Sequence, residues 1–131
     1  MGVVFFCGDK RISLKDMIMK RRFTIKKREQ ARRFVENKIK HFNSFYGFKV
    51  NRVAIKNQTT RWGSCSSKGN LNFNYKIIYL RSQLADYLIV HELCHLGELN
   101  HSKMFWNLVS KTIPDFIEIN KELRRTSVRL V

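Results

Sequence analysis

Three of the four histidines of this 131-residue chain fall within eleven residues, and their spacing is its most chemically informative feature. His91, Glu92 and His95 form the pattern H-E-x-x-H. On an α-helix the two histidines lie about 6 Å apart along the axis and about 40° around it, so both imidazoles can face one ion. Glu92 is then near enough to hold a metal-bound water and take its proton. The pattern predicts a divalent metal site.

His101 is the natural third ligand, because Gly97 lets the chain leave the helix and return. Three protein ligands and an open fourth position are typical of catalytic zinc, whereas structural zinc sites are closed. We therefore expect one Zn²⁺ per chain, with Glu92 as general base. Two alternatives stay open: His101 could be only a helix-start residue beside Ser102, and Cys65 could close the site as a fourth ligand. Imidazole ligands also suit other divalent transition metals.

The helix that carries this motif is predicted over residues 83–96, with Ser82 as N-cap and Gly97 as its stop. Nine of the thirteen residues in 84–96 are apolar and cover nearly the whole circumference, so the helix should be buried. Burying imidazoles and a carboxylate without partners is costly, and a metal with its water removes that cost. A metal site is therefore favoured over core histidines satisfied by hydrogen bonds. Cys94 is interpreted as a small core residue.

The rest of the chain alternates strand and helix patterns, which predicts an α+β fold. Residues 1–12 are predicted as strand, turn and strand, with the turn at Gly8-Asp9. A helix is predicted from Ile25 to Tyr46 and stops at Gly47. Further strands are expected at 50–55 and at 71–75, the latter extended through 77–80, and further helices at 103–112, capped by Ser102, and after Pro114.

Charge is concentrated near the N-terminus. The chain carries 26 basic and 10 acidic residues, a net charge of +16, and residues 10–40 hold 13 of the basic and 3 of the acidic ones. Such a segment attracts nucleic acid or other polyanions, unless it is only a solvated helix face. No apolar run approaches the roughly 18 residues that cross a bilayer, and three cysteines are too few for a disulfide framework. We expect a cytoplasmic protein with no membrane partner.

Several ordered motifs together resemble the YgjP-like metallopeptidase family, a relative of the SprT-like and WLM zinc metalloproteases. The motifs are R-W-G-S-C-S at 61–66, L-N-F-N at 71–74, H-E-L-C-H-L at 91–96 and N-H-S-K-M-F-W at 100–106. The resemblance implies a small zincin-like single domain, with a short antiparallel or mixed sheet packed on the metal-binding helix and a helical C-terminus. It assigns His91, His95 and His101 as metal ligands and Glu92 as the catalytic base. The metzincin pattern is rejected, since its glycine would fall on Glu98.

Within a single metallohydrolase domain over 1–131, we expect a short basic N-terminal region at 1–25 and a zincin-like core at 26–125. Arg61 could contact a substrate anion or oxyanion, and Asn72 and Asn74 could touch substrate. The strand 71–75 could offer an edge to an extended peptide. The leading hypothesis is a zinc metallopeptidase that acts on peptide or protein. The alternatives are a nucleotide or phosphate-ester hydrolase and a non-enzymatic nucleic-acid-binding module with structural zinc.

Overall fold

The computed structural model describes residues 4–7 and 10–131. Two short strands, β1 (Val4–Cys7) and β2 (Lys10–Ser13), pair antiparallel, as the sequence predicts. The predicted turn at Gly8-Asp9 lies outside the described residues. Ser13 then begins a helix, because its hydroxyl group accepts a hydrogen bond from the backbone N–H of Asp16.

The helix α1 (Leu14–Tyr46) is the longest element, with 33 residues. Its end is as predicted: Gly47 adopts a left-handed φ of 71° and donates to the carbonyl of Asn43. Its predicted start at Ile25 is wrong by eleven residues. The residues before Ile25 are mainly good helix formers, but their basic side chains obscure any apolar period, so the pattern that marks a buried helix is missing there.

A three-stranded mixed sheet follows, made of β3 (Arg52–Lys56), β4 (Gly63–Cys65) and β5 (Asn70–Asn74) in the order β3-β5-β4. β3 pairs parallel with β5, and β4 pairs antiparallel with it. The strand predicted to offer an open edge is therefore the central one, and β3 and β4 are the edge strands. The predicted extension over 77–80 is also wrong. The side chain of Asn74 accepts from Lys76 N–H and begins a 3-10 helix, Tyr75–Tyr79.

Three helices complete the fold: α2 (Ser82–Cys94), α3 (Lys103–Ser110) and α4 (Phe116–Arg125), followed by a 3-10 turn at Val128–Leu130. Ser102 caps α3 as predicted, because its hydroxyl group accepts from Phe105 N–H. Ser82 is not the N-cap of α2, since the cap position falls on Arg81, which makes no capping hydrogen bond. α2 ends two residues early, where tighter turns begin with Leu96 N–H donating to Leu93.

α2 lies at the centre of the core. Nine of its thirteen residues are buried, and it contacts α1, β4, α3 and α4. Lys38 on α1 forms an ion pair with Asp86 on α2, at 2.7 Å. The architecture is a small α+β domain with a mixed sheet and a helical C-terminus, as the sequence predicts. Among the described residues, no helix is both long and apolar enough to cross a membrane.

Candidate metal centre

The three clustered histidines converge on one point. His91 lies on α2 and His95 follows one turn later, at the C-cap of this helix. Their Nε2 atoms are 3.3 Å apart. His101, just before α3, places its own Nε2 atom 3.2 Å from that of His91. The ligand atoms of the three residues all lie within 4.8 Å of one another. Cys65, considered as a fourth ligand, is not part of this cluster.

Hydrogen bonds at the opposite ring nitrogens orient two of these imidazoles. Nδ1 of His95 lies 3.1 Å from the carbonyl oxygen of Glu98, which can only accept, so the proton of His95 sits on Nδ1. Nδ1 of His91 lies 3.1 Å from the hydroxyl group of Tyr87, which itself donates to Oδ1 of Asn120 at 2.9 Å. The Tyr87 oxygen is therefore the acceptor for His91. Both histidines are left with an unprotonated Nε2 lone pair facing the cluster.

Aromatic rings hold the imidazoles from the other side. Phe105 on α3 is fully buried and stacks on His95, with ring centroids 4.4 Å apart and an interplanar angle of 19°. Trp106 stacks on His101 at 5.8 Å and 23°. The contacts of these two residues fix the ring planes of two histidines.

The imidazoles of His91 and His95 are neutral at ordinary pH. Burial, reinforced by the neighbouring His95 and His101, lowers the pKa of His91 to about 3. Burial also lowers the pKa of His95. A neutral imidazole with a free Nε2 lone pair is the form that binds a metal ion, so His91 and His95 require no deprotonation to do so.

Glu92 is buried beside the histidines, with 6% of its surface exposed. Its Oε1 atom lies 3.9 Å from Nε2 of His91, and burial raises its pKa to about 7. Gly63 on β4 lies against it, since a Cβ at position 63 would be only 3.3 Å from Cγ of Glu92. A carboxyl group whose pKa is near neutrality can both accept and return a proton.

The cluster opens into a cavity of about 620 Å³. Arg61, which the sequence singles out, lines it together with Trp62 and Gly63. Tyr87, Asn120 and Arg124 also line it and are not predicted from the sequence: Tyr87 merely fits the apolar pattern of α2, and the other two lie on α4, far along the chain. The 120/124 spacing is one helical turn, but nothing in the sequence indicates that this face of α4 meets α2.

Asn72 and Asn74 do not line this cavity. Nδ2 of Asn74 donates to the carbonyl groups of Gln58 and Arg61, at 2.7 and 3.1 Å, so the buried side chain braces the loop before β4. Asn72 donates to Ser64 across the β4–β5 pair. Cys94 is fully buried, as predicted for a core residue.

β4 runs beside Glu92, since Gly63 lies against this side chain. The carbonyl of Trp62 accepts from Asn74 N–H, and Ser66 N–H donates to the carbonyl of Asn70, so Trp62 and Ser66 face β5. In an antiparallel pair, successive residues alternate between facing the partner strand and facing away. The backbone N–H and C=O groups of Gly63 and Cys65 therefore point to the open side of the sheet.

The donor set fits a tetrahedral metal ion. With zinc–nitrogen bonds of about 2.0–2.1 Å, tetrahedral geometry places ligand nitrogens about 3.3–3.4 Å apart. The two Nε2 separations from His91, 3.3 and 3.2 Å, match this value, and all three ligand atoms lie within 4.8 Å of one another. Three protein ligands would leave one position of a tetrahedral ion for a water, and the cavity lined by His91, Glu92 and His101 lies beside the cluster.

The fold and this histidine cluster are those of a small metallopeptidase. The chain belongs to the YgjP-like family, since the model of the YgjP-like metallopeptidase domain matches residues 13–126. The chain is also similar to the crystal structure of the metallopeptidase zymogen abylysin from Pyrococcus abyssi, with 26% identity and a TM-score of 0.62 over 68% of this chain and 90% of that one.

A second similar structure is the metallopeptidase zymogen jannalysin from Methanocaldococcus jannaschii. Its TM-score is 0.60 at 21% identity, over 70% of this chain and 94% of that one, and it supports the fold alone. A comparison with curated protein sequences gave no match.

Proposed function

We propose that this chain is a zinc-dependent metallopeptidase in which His91, His95 and His101 hold one zinc ion and Glu92 is the general base. The observation that carries the proposal is the convergence of three imidazole Nε2 atoms beside a buried carboxyl group. A zinc ion held there would lower the pKa of a water toward 7 and polarise a substrate carbonyl.

Glu92 moves the proton in this proposal. Its carboxylate would accept a proton from the attacking water and then give it to the leaving amine. Gly63 leaves the room that this side chain needs. Arg61, exposed at the mouth of the cavity, is proposed to contact a substrate carbonyl or carboxylate.

The open edge of β4 favours a peptide as the substrate. An extended peptide can hydrogen-bond to the outward N–H and C=O groups of Gly63 and Cys65, which would lay it across the cavity beside Glu92. This edge is specific to extended backbone, and neither a nucleotide nor a phosphate ester would use it. The edge and the family together favour peptide-bond hydrolysis over the phosphate-ester alternative.

A structural zinc without catalysis is less well supported. A structural site is closed by four protein ligands, whereas the described residues offer three, and the remaining position faces a cavity.

Cys65 and Cys94 are free thiols, which suits the reducing cytoplasm that we propose as the compartment.

Metal content per chain is the first test. We expect about one zinc per chain in the wild type and none in His95→Ala, measured by elemental analysis of dialysed protein. His41→Ala is the matched control, because His41 is an exposed histidine outside the cluster, and it should keep its metal. Wild-type protein that is folded but takes up no added zinc would overturn the proposal.

Activity is the second test. Zinc-loaded wild type is incubated with unfolded proteins and, in parallel, with nucleoside triphosphates. We expect cleavage of the unfolded proteins only, and Glu92→Gln should abolish it while retaining zinc. Hydrolysis of the triphosphates alone would support the phosphate-ester alternative, and full activity in Glu92→Gln would contradict the proposed base.

A further inference from the structure

The first half of α1 stands outside the core. Buried residues of this helix begin only at Ala31, and fifteen of the seventeen residues in 14–30 are exposed, with Thr24 and Lys27 partly covered. At 1.5 Å per residue this segment is about 25 Å long. We refer to residues 14–30 as the basic arm.

The basic arm carries a large uncompensated charge. It holds seven basic and two acidic residues, a net charge of +5. None of the ion pairs found among the described residues involves an arm residue. Like charges one turn apart, such as Arg22 and Lys26, destabilise a helix by repulsion. A bound polyanion would remove this repulsion.

The cations surround the arm. At 100° per residue, they form three rows along the helix, and neighbouring rows are about 100–130° apart around the helix axis. The rows are Lys15, Arg22 and Lys26; Lys20 and Lys27; and Arg21 and Arg28. The exposed apolar residues lie between the rows, with Leu14, Ile18 and Ile25 in one gap and Met19 and Phe23 in another. A helix that binds a membrane surface needs one continuous apolar face opposite a polar one, and the arm has none.

We propose that the basic arm is a docking element for duplex nucleic acid. A helix with its side chains is about 10–12 Å wide and the major groove of DNA is about 12 Å wide, with phosphates on both walls. Cations on several sides of one helix match phosphates on both sides of one groove. The arm's net charge also opposes pairing with the arm of a second copy of the chain.

The docking is independent of sequence. Lys and Arg contacts to phosphates supply affinity without reading bases, with dissociation constants on the order of 10⁻⁴–10⁻⁶ M at physiological salt. Because α1 continues without a break into the core and is bonded there to α2 through Lys38 and Asp86, the arm holds the metal centre at a fixed place relative to the duplex. This proposal does not depend on the proposed peptidase activity.

The test measures binding of the full chain to a fluorescein-labelled 30-base-pair random-sequence DNA duplex by anisotropy, from low to physiological salt. The arm variant combines Arg21→Gln, Arg22→Gln, Lys26→Gln and Lys27→Gln. The control variant removes four exposed cations elsewhere, by Lys40→Gln, Lys49→Gln, Lys68→Gln and Lys111→Gln. The two variants have the same net charge, so they separate the arm from the chain's overall basicity. Circular dichroism checks that both keep their helix content.

We expect the wild type to bind with a steep salt dependence. The arm variant should bind at least tenfold more weakly, and its slope of log affinity against log salt should be shallower by about 3–4, since each phosphate that a cation neutralises adds about 0.9 to the slope. The control variant should lose less than threefold. Equal losses in the two variants, or no binding by the wild type at low salt, would overturn the proposal.

Two further measurements address other occupants of the arm. Sedimentation with vesicles containing anionic lipid, and light scattering of the protein alone, are run on the wild type and the arm variant. Binding to vesicles without binding to DNA would assign the arm to membranes and overturn the proposal. A wild-type dimer that the arm variant dissociates would assign it to self-association, with the same consequence.

Discussion

The hydroxyl group of Tyr87 lies 3.1 Å from Nδ1 of His91, one turn further along α2, and donates to Asn120 on α4. The bond to Asn120 uses the only hydroxyl proton, so His91 must be the donor in the other bond. Tyr87 thereby fixes both the orientation and the tautomer of a proposed metal ligand. Partners of this kind raise the affinity of a site without touching the ion.

Tyr87→Phe should weaken zinc binding about 10- to 100-fold while keeping the three ligands in place. The ring still fills the core, but Nδ1 of His91 loses its acceptor. The measurement is a competition titration with a chromophoric chelator. Tyr79→Phe, which removes an exposed hydroxyl group, is the control and should leave the affinity unchanged. Equal affinities in all three proteins would show that Tyr87 does not position His91.

Glu92→Gln should stabilise the metal-free protein at pH 8. Burial raises the pKa of Glu92 from 4.5 to about 7, so the folded state must keep a buried carboxylate ionised above pH 7. The neutral amide avoids this cost, which is on the order of 2–3 kcal/mol. Urea unfolding of both proteins after chelation measures the difference, which should vanish near pH 4. A variant less stable than the wild type at pH 8 would contradict the assigned burial cost.

Acidification should destabilise metal-free Glu92→Gln more steeply than the metal-free wild type. The lowered pKa values of His91 and His95 mean that below about pH 6.5 the unfolded chain binds protons that the folded chain excludes, so stability falls with pH. In the wild type, Glu92 acts in the opposite direction between pH 7 and 4.5, since its folded form binds the proton more tightly. Only the histidine effect is left in Glu92→Gln.

The free energy of unfolding of metal-free Glu92→Gln should be about 1–2 kcal/mol lower at pH 5.5 than at pH 7. Urea unfolding at the two pH values measures it. Adding His91→Gln to this variant should reduce this loss of stability, because one of the two histidines that exclude a proton in the folded state is then absent. Parallel pH profiles for the wild type and Glu92→Gln would be inconsistent with the opposed contributions.

Gly97→Ala should destabilise the protein by about 1–3 kcal/mol through overpacking. A Cβ at position 97 would lie 2.7 and 2.8 Å from two ring carbons of Phe48, and no left-handed backbone angle is involved. The double variant Phe48→Leu/Gly97→Ala tests this cause, since the smaller side chain makes room. Its loss of stability in urea unfolding should be clearly smaller than the sum of the single losses. Strict additivity would mean that the contact with Phe48 is not responsible.

The sequence predicts well those features that depend on local spacing. His91 and His95 are brought together by helix geometry alone, and Ser102 and Gly47 act as the caps that their types favour. The role of Gly97 is only half predictable. It lies near the end of α2 as expected, but its small size matters because of Phe48, which is almost fifty residues earlier in the chain.

Features that depend on tertiary contacts do not follow from local patterns. The central position of β5 depends on its pairing with both β3 and β4, and the alternation within 71–75 is the same for a central strand as for an edge strand. The contact between Tyr87 and Asn120 joins residues 33 positions apart on two helices. The exposed start of α1 lacks the apolar period that reveals a buried helix.

The link from Asn120 through Tyr87 to His91 makes the docking of α4 and the occupancy of the metal centre thermodynamically reciprocal. The contacts of α4 raise the metal affinity by holding the His91 imidazole in place. A bound ion must therefore stabilise α4 against local opening by the same free energy. The backbone amides of Phe116–Arg125 should therefore exchange with deuterium more slowly in the metal-loaded protein, although none of these residues is among the three proposed ligands.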